Sequence, residues 1–232
     1  MALLDNVQQL RDETLSALNA SHNYYVHTQI AWRLFQQMVR QGHRFTIRNQ
    51  ATGDTVDEAE LSQLAQPYVT SYLASATFQH FVSLFEQFVF RLARLWLIEY
   101  PGSLSGKELK LRLVLESSNK DEIVAAVVER EVHGLAYQRV VDWFSYLEKL
   151  ANFGCPNQDE IERLAEIKAS RDVLVHNNGV ANSVYVEKSM GRARFGEGER
   201  LELPEHYHRD SWQLIKDVVT AISEAAINKL PN

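Results

Sequence analysis

Arg171-Asp172-Val173-Leu174-Val175-His176-Asn177-Asn178-Gly179 concentrates the most chemistry in the fewest residues of this chain. An arginine can grip a phosphate, and a histidine five positions later can carry a proton near neutral pH. Cutting a phosphodiester without a metal needs both functions. The bare spacing carries little weight. With eight histidines in the chain, an Arg-x4-His match arises by chance in roughly one such sequence in two. Arg200 and His206 show a slightly longer Arg–His spacing, but Pro204 lies between them in an expected strand-to-helix turn. The surroundings of the segment therefore decide.

On an ideal helix, five residues turn through about 500°, which leaves the two side chains about 140° apart. Arg171 and His176 thus diverge within one chain unless the helix loosens at its end. Arg171 shares a face with Leu164, Ile167, Leu174 and Val175. A guanidinium on an apolar stripe needs an ionic partner or a wet cleft. Such breaks in pattern are enriched at functional sites. A structural pair with Glu86 or Asp172 is the other reading. His176 stands where Asn177, Asn178 and Gly179 end the helix, a position where the helix dipole favours a cation for structural reasons alone.

Most of the chain that must position this segment has helical periodicity. Leu3, Val7, Leu10, Thr14 and Leu18 predict a first amphipathic helix, continued by Tyr24, His27, Ala31, Leu34 and Met38 after a break near Asn19–Ser21. Alternation about Thr52-Gly53-Asp54 predicts a short β-hairpin, and Asp57 caps a short helix ending before Pro67. From Thr70 to Tyr100 runs the strongest helix, with Phe78, Phe81, Phe85, Phe88, Leu92 and Trp96 in one stripe. A helix this apolar belongs at the centre of a bundle or against another subunit. Further helices follow from Asp121, through Val140, Phe144, Leu147 and Ala151, and from Asp159 into the Arg171 segment. Ser183–Glu187 and Arg200–Leu203 read as a second β-hairpin. A helix carrying Trp212, Ile215, Val219, Ile222 and Ala226 closes the chain. The expected class is mainly α: an antiparallel helical bundle spanning 70–230, with an N-terminal helical extension over 1–66 and two short β-hairpins.

A net charge of −6 argues against a broad basic surface that coats nucleic acid, though not against a small basic cleft. The single cysteine, Cys155, allows no intrachain disulfide and no multi-cysteine zinc site. The N-terminus has no basic region followed by an apolar run, and the most apolar stretch carries Glu86, Arg91, Arg94 and Glu99. A cytoplasmic protein without a membrane span is the expectation.

With its motif and order of elements, the chain resembles the HEPN (higher eukaryotes and prokaryotes nucleotide-binding) domain family. In that signature an Arg is followed by Asn, Asp or His, with a His a few residues later. Arg171-Asp172 is similar to the first part and His176-Asn177 to the second. The long helix with Phe85-Glu86, the lead-in Glu166-Ile167-Lys168-Ala169 and the closing helix extend the likeness over roughly 70–230. The resemblance implies an all-α bundle that dimerises with both motifs facing a shared cleft, which would also answer the 140° divergence. It implies a metal-independent endoribonuclease of toxin or antiviral-defence type, needing no cofactor. His176 would act as base on the ribose 2′-OH or as acid to the leaving 5′-oxygen. Arg171 would hold the scissile phosphate, and Asp172 and Asn177, with Glu86 in support, would orient these groups. RNA, a second copy of the chain and an antitoxin or defence-system component are the implied partners. Members paired with nucleotidyltransferases carry a Tyr two positions after the His. Asn178 stands there in this chain. The family also includes inactive members, so a non-catalytic dimerisation, nucleotide-binding or regulatory module is the alternative.

Other signals are weaker. Gly102-x3-Gly106-Lys107 is one residue short of a phosphate-binding loop, and Glu108 replaces the magnesium-holding hydroxyl. His206-x-His208 lacks a third metal ligand and reads as an exposed helix start. Lys188, Arg192, Arg194 and Arg200 could approach RNA phosphates, although Glu187, Glu197 and Glu199 dilute that charge.

Overall fold

A computed structural model, which describes residues 2–230, shows a mainly helical protein. Its first helix, α1 (Ala2–Arg40), is unbroken. Leu3, Val7, Leu10, Thr14 and Leu18 are buried as their spacing predicts. The expected break at Asn19–Ser21 does not occur. Ser21 is itself buried, with its hydroxyl 3.2 Å from His80 Nδ1. Packing against the bundle outweighs the weak helix preference of Asn and Ser. With no break to reset the phase, the stripe continues through Tyr25 and Gln29, and Tyr24 and Leu34 face outwards at 62% and 55% exposure.

Strands β1 (Thr46–Arg48) and β2 (Thr55–Asp57) form the first expected hairpin, with Ile47 opposite Val56. Asp57 then caps α2 (Glu58–Pro67), accepting from the Ala59 and Glu60 amides. This helix does not stop before Pro67. It widens into a π-helical turn (Tyr68–Leu73) and runs on as α3 (Ala74–Glu99). Pro67 has no amide hydrogen to give the preceding turn, and the change of winding follows directly on it.

The centre of the bundle is α3. Its Phe78, Phe81, Phe85, Phe88, Leu92 and Trp96 are all buried. Around it pack α1, α5 (Lys120–Ala136), α6 (Val140–Ala151), α7 (Gln158–His176) and α9 (Glu205–Asn228). The short α4 (Leu111–Glu116) precedes α5. Leu3, Val7, Leu10, Leu18 and Tyr25 lie in one core cluster with Phe78, Phe81 and Ile215. The segment read from sequence as an N-terminal extension thus supplies α1 to the same core as the 70–230 region. No described helix is long and apolar enough to cross a membrane.

The second expected hairpin is absent. Ser183–Lys188 forms α8, capped by Asn182, whose side chain accepts from the Tyr185 amide at 2.9 Å. Val180 and Ala181 pair instead with residues 198–201, through a single bridge, Val180 to Arg200. Tyr185 is buried with Val184 and Val186 exposed, the alternation a strand would also give. The amides of Val186 and Ser189, bonded to Asn182 O at 3.2 Å and Tyr185 O at 3.0 Å, make it a short helix instead.

His208, read as part of an exposed helix start, is fully buried where α1, α3 and α9 meet. Its Nε2 lies 2.8 Å from Thr77 Oγ1, and its ring stacks on Tyr25 with centroids 4.0 Å apart. His22 stacks on Trp212 and sits 6.1 Å from His208. Burial, then the nearby His22, pushes His208 down to about 3. Burial, followed by Lys216 and Arg209, lowers His22 as well. An unfolded histidine titrates near 6.5 (approximately), so below that pH the unfolded chain takes up a proton that folded His208 refuses. Stability is therefore full above about pH 6.5 and is lost progressively as pH falls towards about 3. Urea unfolding between pH 7.5 and 5 is expected to lose roughly 2 kcal/mol through this group. His208→Gln should flatten that dependence. An unchanged slope in the variant would refute the assignment.

Candidate functional site

The Arg171 segment occupies the last turns of α7. Asn157 starts the helix through a reciprocal capping box with Glu160. Its end is fixed by Val173 O, which accepts from the Asn177 and Gly179 amides. Asn178 and Gly179 take φ of 50° and 74°. A Cβ at Gly179 would be strained by that φ and would sit 3.7 Å from both Leu174 Cδ2 and Arg200 Nη1.

Arg171 points inwards, towards α3. Its guanidinium binds Glu86 and, at 2.9 Å, Asp172. Lys168 joins the group, 2.7 Å from Asp172 and 3.3 Å from Glu86. The side chains of Arg171 and Glu86 are 16% and 17% exposed, so water screens the pair only partly. Two carboxylates face two cations, and the four charges sum to zero. Arg171 Nε is buried without a hydrogen-bond partner. Both carboxylates named from sequence as partners for Arg171 are thus engaged at once.

His176 diverges from this group. The helix stays regular through His176, so the angular offset between the two side chains persists. The imidazole is exposed and lines a hollow of about 230 Å³ with Asp172, Asn177, Val184 and Lys188. Arg171 does not line this hollow; Asp172 belongs to both environments. Asn177 uses its side-chain amide on Val180 O at 2.5 Å, which holds the turn.

No protein-family model, curated protein or solved structure matches this chain.

Of the expected RNA contacts, Lys188 is exposed, stands beside His176 and makes no ion pair among the described residues. Arg192 and Arg194 are instead tied to α7. Arg192 binds Asp159 at 2.6 Å and Glu162 at 3.0 Å. Arg194 Nε donates to Glu166 at 3.0 Å, and its guanidinium carbon lies 3.3 Å from the centroid of the Tyr207 ring. Asp159, Glu162 and Glu166, at steps of three and four, form one acidic stripe of α7 that draws in the loop after α8.

Glu166 is the element that sequence reasoning missed. It is 4% exposed. Its Oε1 accepts from Ser170 at 2.7 Å, Tyr185 at 3.0 Å and Arg194, and its Oε2 accepts from Tyr207 at 2.7 Å. Burial, followed by the neighbouring Glu166, pushes Tyr185 and Tyr207 upwards, Tyr207 strongly, so both remain neutral donors. The cluster binds α8, the following loop and the start of α9 to α7, and so holds the wall of the His176 hollow. A carboxylate among buried Ala165, Ile167 and Ala169 was its signal in the sequence; the partners lie 19, 28 and 41 residues away.

Proposed function

We propose that the chain is a HEPN-type, metal-independent endoribonuclease whose site is completed in a homodimer. The observation that carries this reading is the position of Asp172. Its carboxylate is held by Arg171 and Lys168 and lies in the wall of the hollow that also presents His176 and Lys188. The two cations therefore stand directly behind an anion beside a free imidazole. An RNA phosphate competing with Asp172 would meet the same donors, and charge growing on its oxygens would be stabilised there.

His176 would take the 2′-hydroxyl proton as the 2′-oxygen attacks phosphorus, and the His176 of a second copy would protonate the departing 5′-oxygen. The products are a 2′,3′-cyclic phosphate and a 5′-hydroxyl. Val184, exposed at 49%, lines the hollow, and Val175 and Val186, exposed at 47% and 41%, are carried by the same two helices, α7 and α8, as apolar surface that a second copy would cover. Among the described residues no three His, Cys, Asp or Glu side chains form a metal-binding group. The test is cleavage of mixed RNA by the purified protein in EDTA, beside His176→Ala and Arg171→Ala, with end-group analysis of the products.

The zero charge sum of the Glu86–Lys168–Arg171–Asp172 group favours a second reading, a non-catalytic HEPN-like binding or dimerisation module. Under that reading the group is a structural clamp between α3 and α7, and the wild-type protein dimerises without cutting RNA.

A further inference from the structure

On the other side of the last turn of α7 lies a larger groove of about 780 Å³. One bank is the π-helical turn and the start of α3, with Ser71, Tyr72, Ser75 and Gln79; the other carries Asn178 and Arg200. Asn178 directly follows the His176-Asn177 pair that lines the smaller hollow. The turn at 176–179 is thus a wall between the two depressions.

The chemistry of this groove is specific. Arg200 is its single cation and makes no ion pair among the described residues. Nη1 donates to Asn178 O at 3.0 Å, which anchors the guanidinium and leaves its other edge for a ligand. Tyr72 is 71% exposed and is propped by Tyr68 at 6.2 Å between centroids. Ser71, Ser75 and Gln79 add neutral donors and acceptors between ring and cation. A π-helical turn often marks a functional site, and none of its six residues is buried here. Glu202 is the single carboxylate in the wall.

We infer that this groove seats single-stranded RNA next to the scissile phosphate, with a base stacked on Tyr72 and a backbone phosphate on Arg200. An exposed ring for a base face and a fixed guanidinium for the backbone are the two parts such recognition uses. The inference rests on the ribonuclease reading for its choice of ligand.

The experiment is fluorescence anisotropy of a labelled mixed-sequence single-stranded RNA with the full chain in EDTA, on the His176→Ala background so that the probe stays whole. Arg200→Ala is expected to weaken binding and to reduce the logarithmic salt slope by about 0.7, the loss of one phosphate contact. Tyr72→Ala is expected to weaken binding about tenfold with the slope unchanged. Glu202→Gln, which removes an opposing charge, should tighten binding. Arg200 and Tyr72 are exposed, so their replacement leaves the core intact. Binding unaffected by both replacements would overturn the groove assignment while the nuclease reading stood on wild-type cleavage. The predicted losses together with a wild type that never cleaves would uphold the groove and remove the nuclease. Absence of RNA binding, together with a wild type that never cleaves, would overturn both.

Discussion

His176→Ala is expected to reduce RNA cleavage in EDTA by about 10²–10⁴-fold, the contribution of one general acid or base. The imidazole is exposed, so unfolding free energy should change by less than about 0.5 kcal/mol. Arg171→Ala is expected to lose activity by about 10²–10³-fold, as for removal of one charge-stabilising donor. Here the fold must be monitored as well. The substitution leaves Lys168 alone between Glu86 and Asp172, and the group moves from zero to one net negative charge. A cost of about 2 kcal/mol follows from a part-buried carboxylate left short of donors. Arg171→Lys separates the two roles. It restores the charge and much of the stability, but it lacks the fork that engages two acceptors, so activity should stay low. Cleavage that persists in both alanine variants would sink the catalytic assignment. A wild type that dimerises but never cleaves would establish the clamp reading.

Glu166→Ala is expected to cost about 3–5 kcal/mol in urea unfolding, the largest stability loss at any polar position of the site. Four donors converge on this carboxylate: Ser170, Tyr185, Arg194 and Tyr207. Removing it takes the acceptor from three hydroxyls and from Arg194 Nε, and leaves the guanidinium with Glu202 O at 3.2 Å but no opposing charge in the cluster. The penalty is that of unpaired groups rather than the net worth of the pairs. Pairing Glu166→Leu with Arg194→Met should therefore be less damaging than Glu166→Leu alone, a negative coupling readable in a double-mutant cycle. Because Tyr185 and Lys188 share α8, the single variant should also loosen the hollow around His176 and lower RNA affinity. A loss below about 1 kcal/mol for Glu166→Ala would show that the cluster is not the clasp described.

The helical stripes were legible because burial imposes their period. Phe78 to Trp96 and Leu3 to Leu18 were read directly, and both are buried. A break near Asn19–Ser21 would reset the phase of the second half of α1 by one residue and turn Tyr24 inwards; the unbroken helix buries Tyr25 and turns Tyr24 outwards. Ser183–Glu187 was read as a strand because a run of five residues supports either period. Asn182 as cap and the attachment of Tyr185 to Glu166 decided for a helix. Within the site, Glu86 and Asp172 were named as carboxylates for Arg171, since a guanidinium on an apolar face demands one. Their simultaneous engagement, together with Lys168, was not readable, because Glu86 lies 85 residues away.

By itself the sequence determined the class of the fold, the helix that forms its centre, the Asp57 cap and the Asn177–Gly179 helix end, and the divergence of Arg171 from His176. These follow from rules that act within a few residues: side-chain period, capping and the angular pitch of a helix. Only the tertiary structure decided which cations are free. Arg192 and Arg194, alike in sequence to Lys188 and Arg200, are bound to the acidic stripe of α7; Lys188 and Arg200 line the two depressions beside His176. Charge is neutralised by contact in space, and those contacts span 28 to 33 residues of chain. Local pattern locates an element, but only packing reveals which of its charges are left for a ligand.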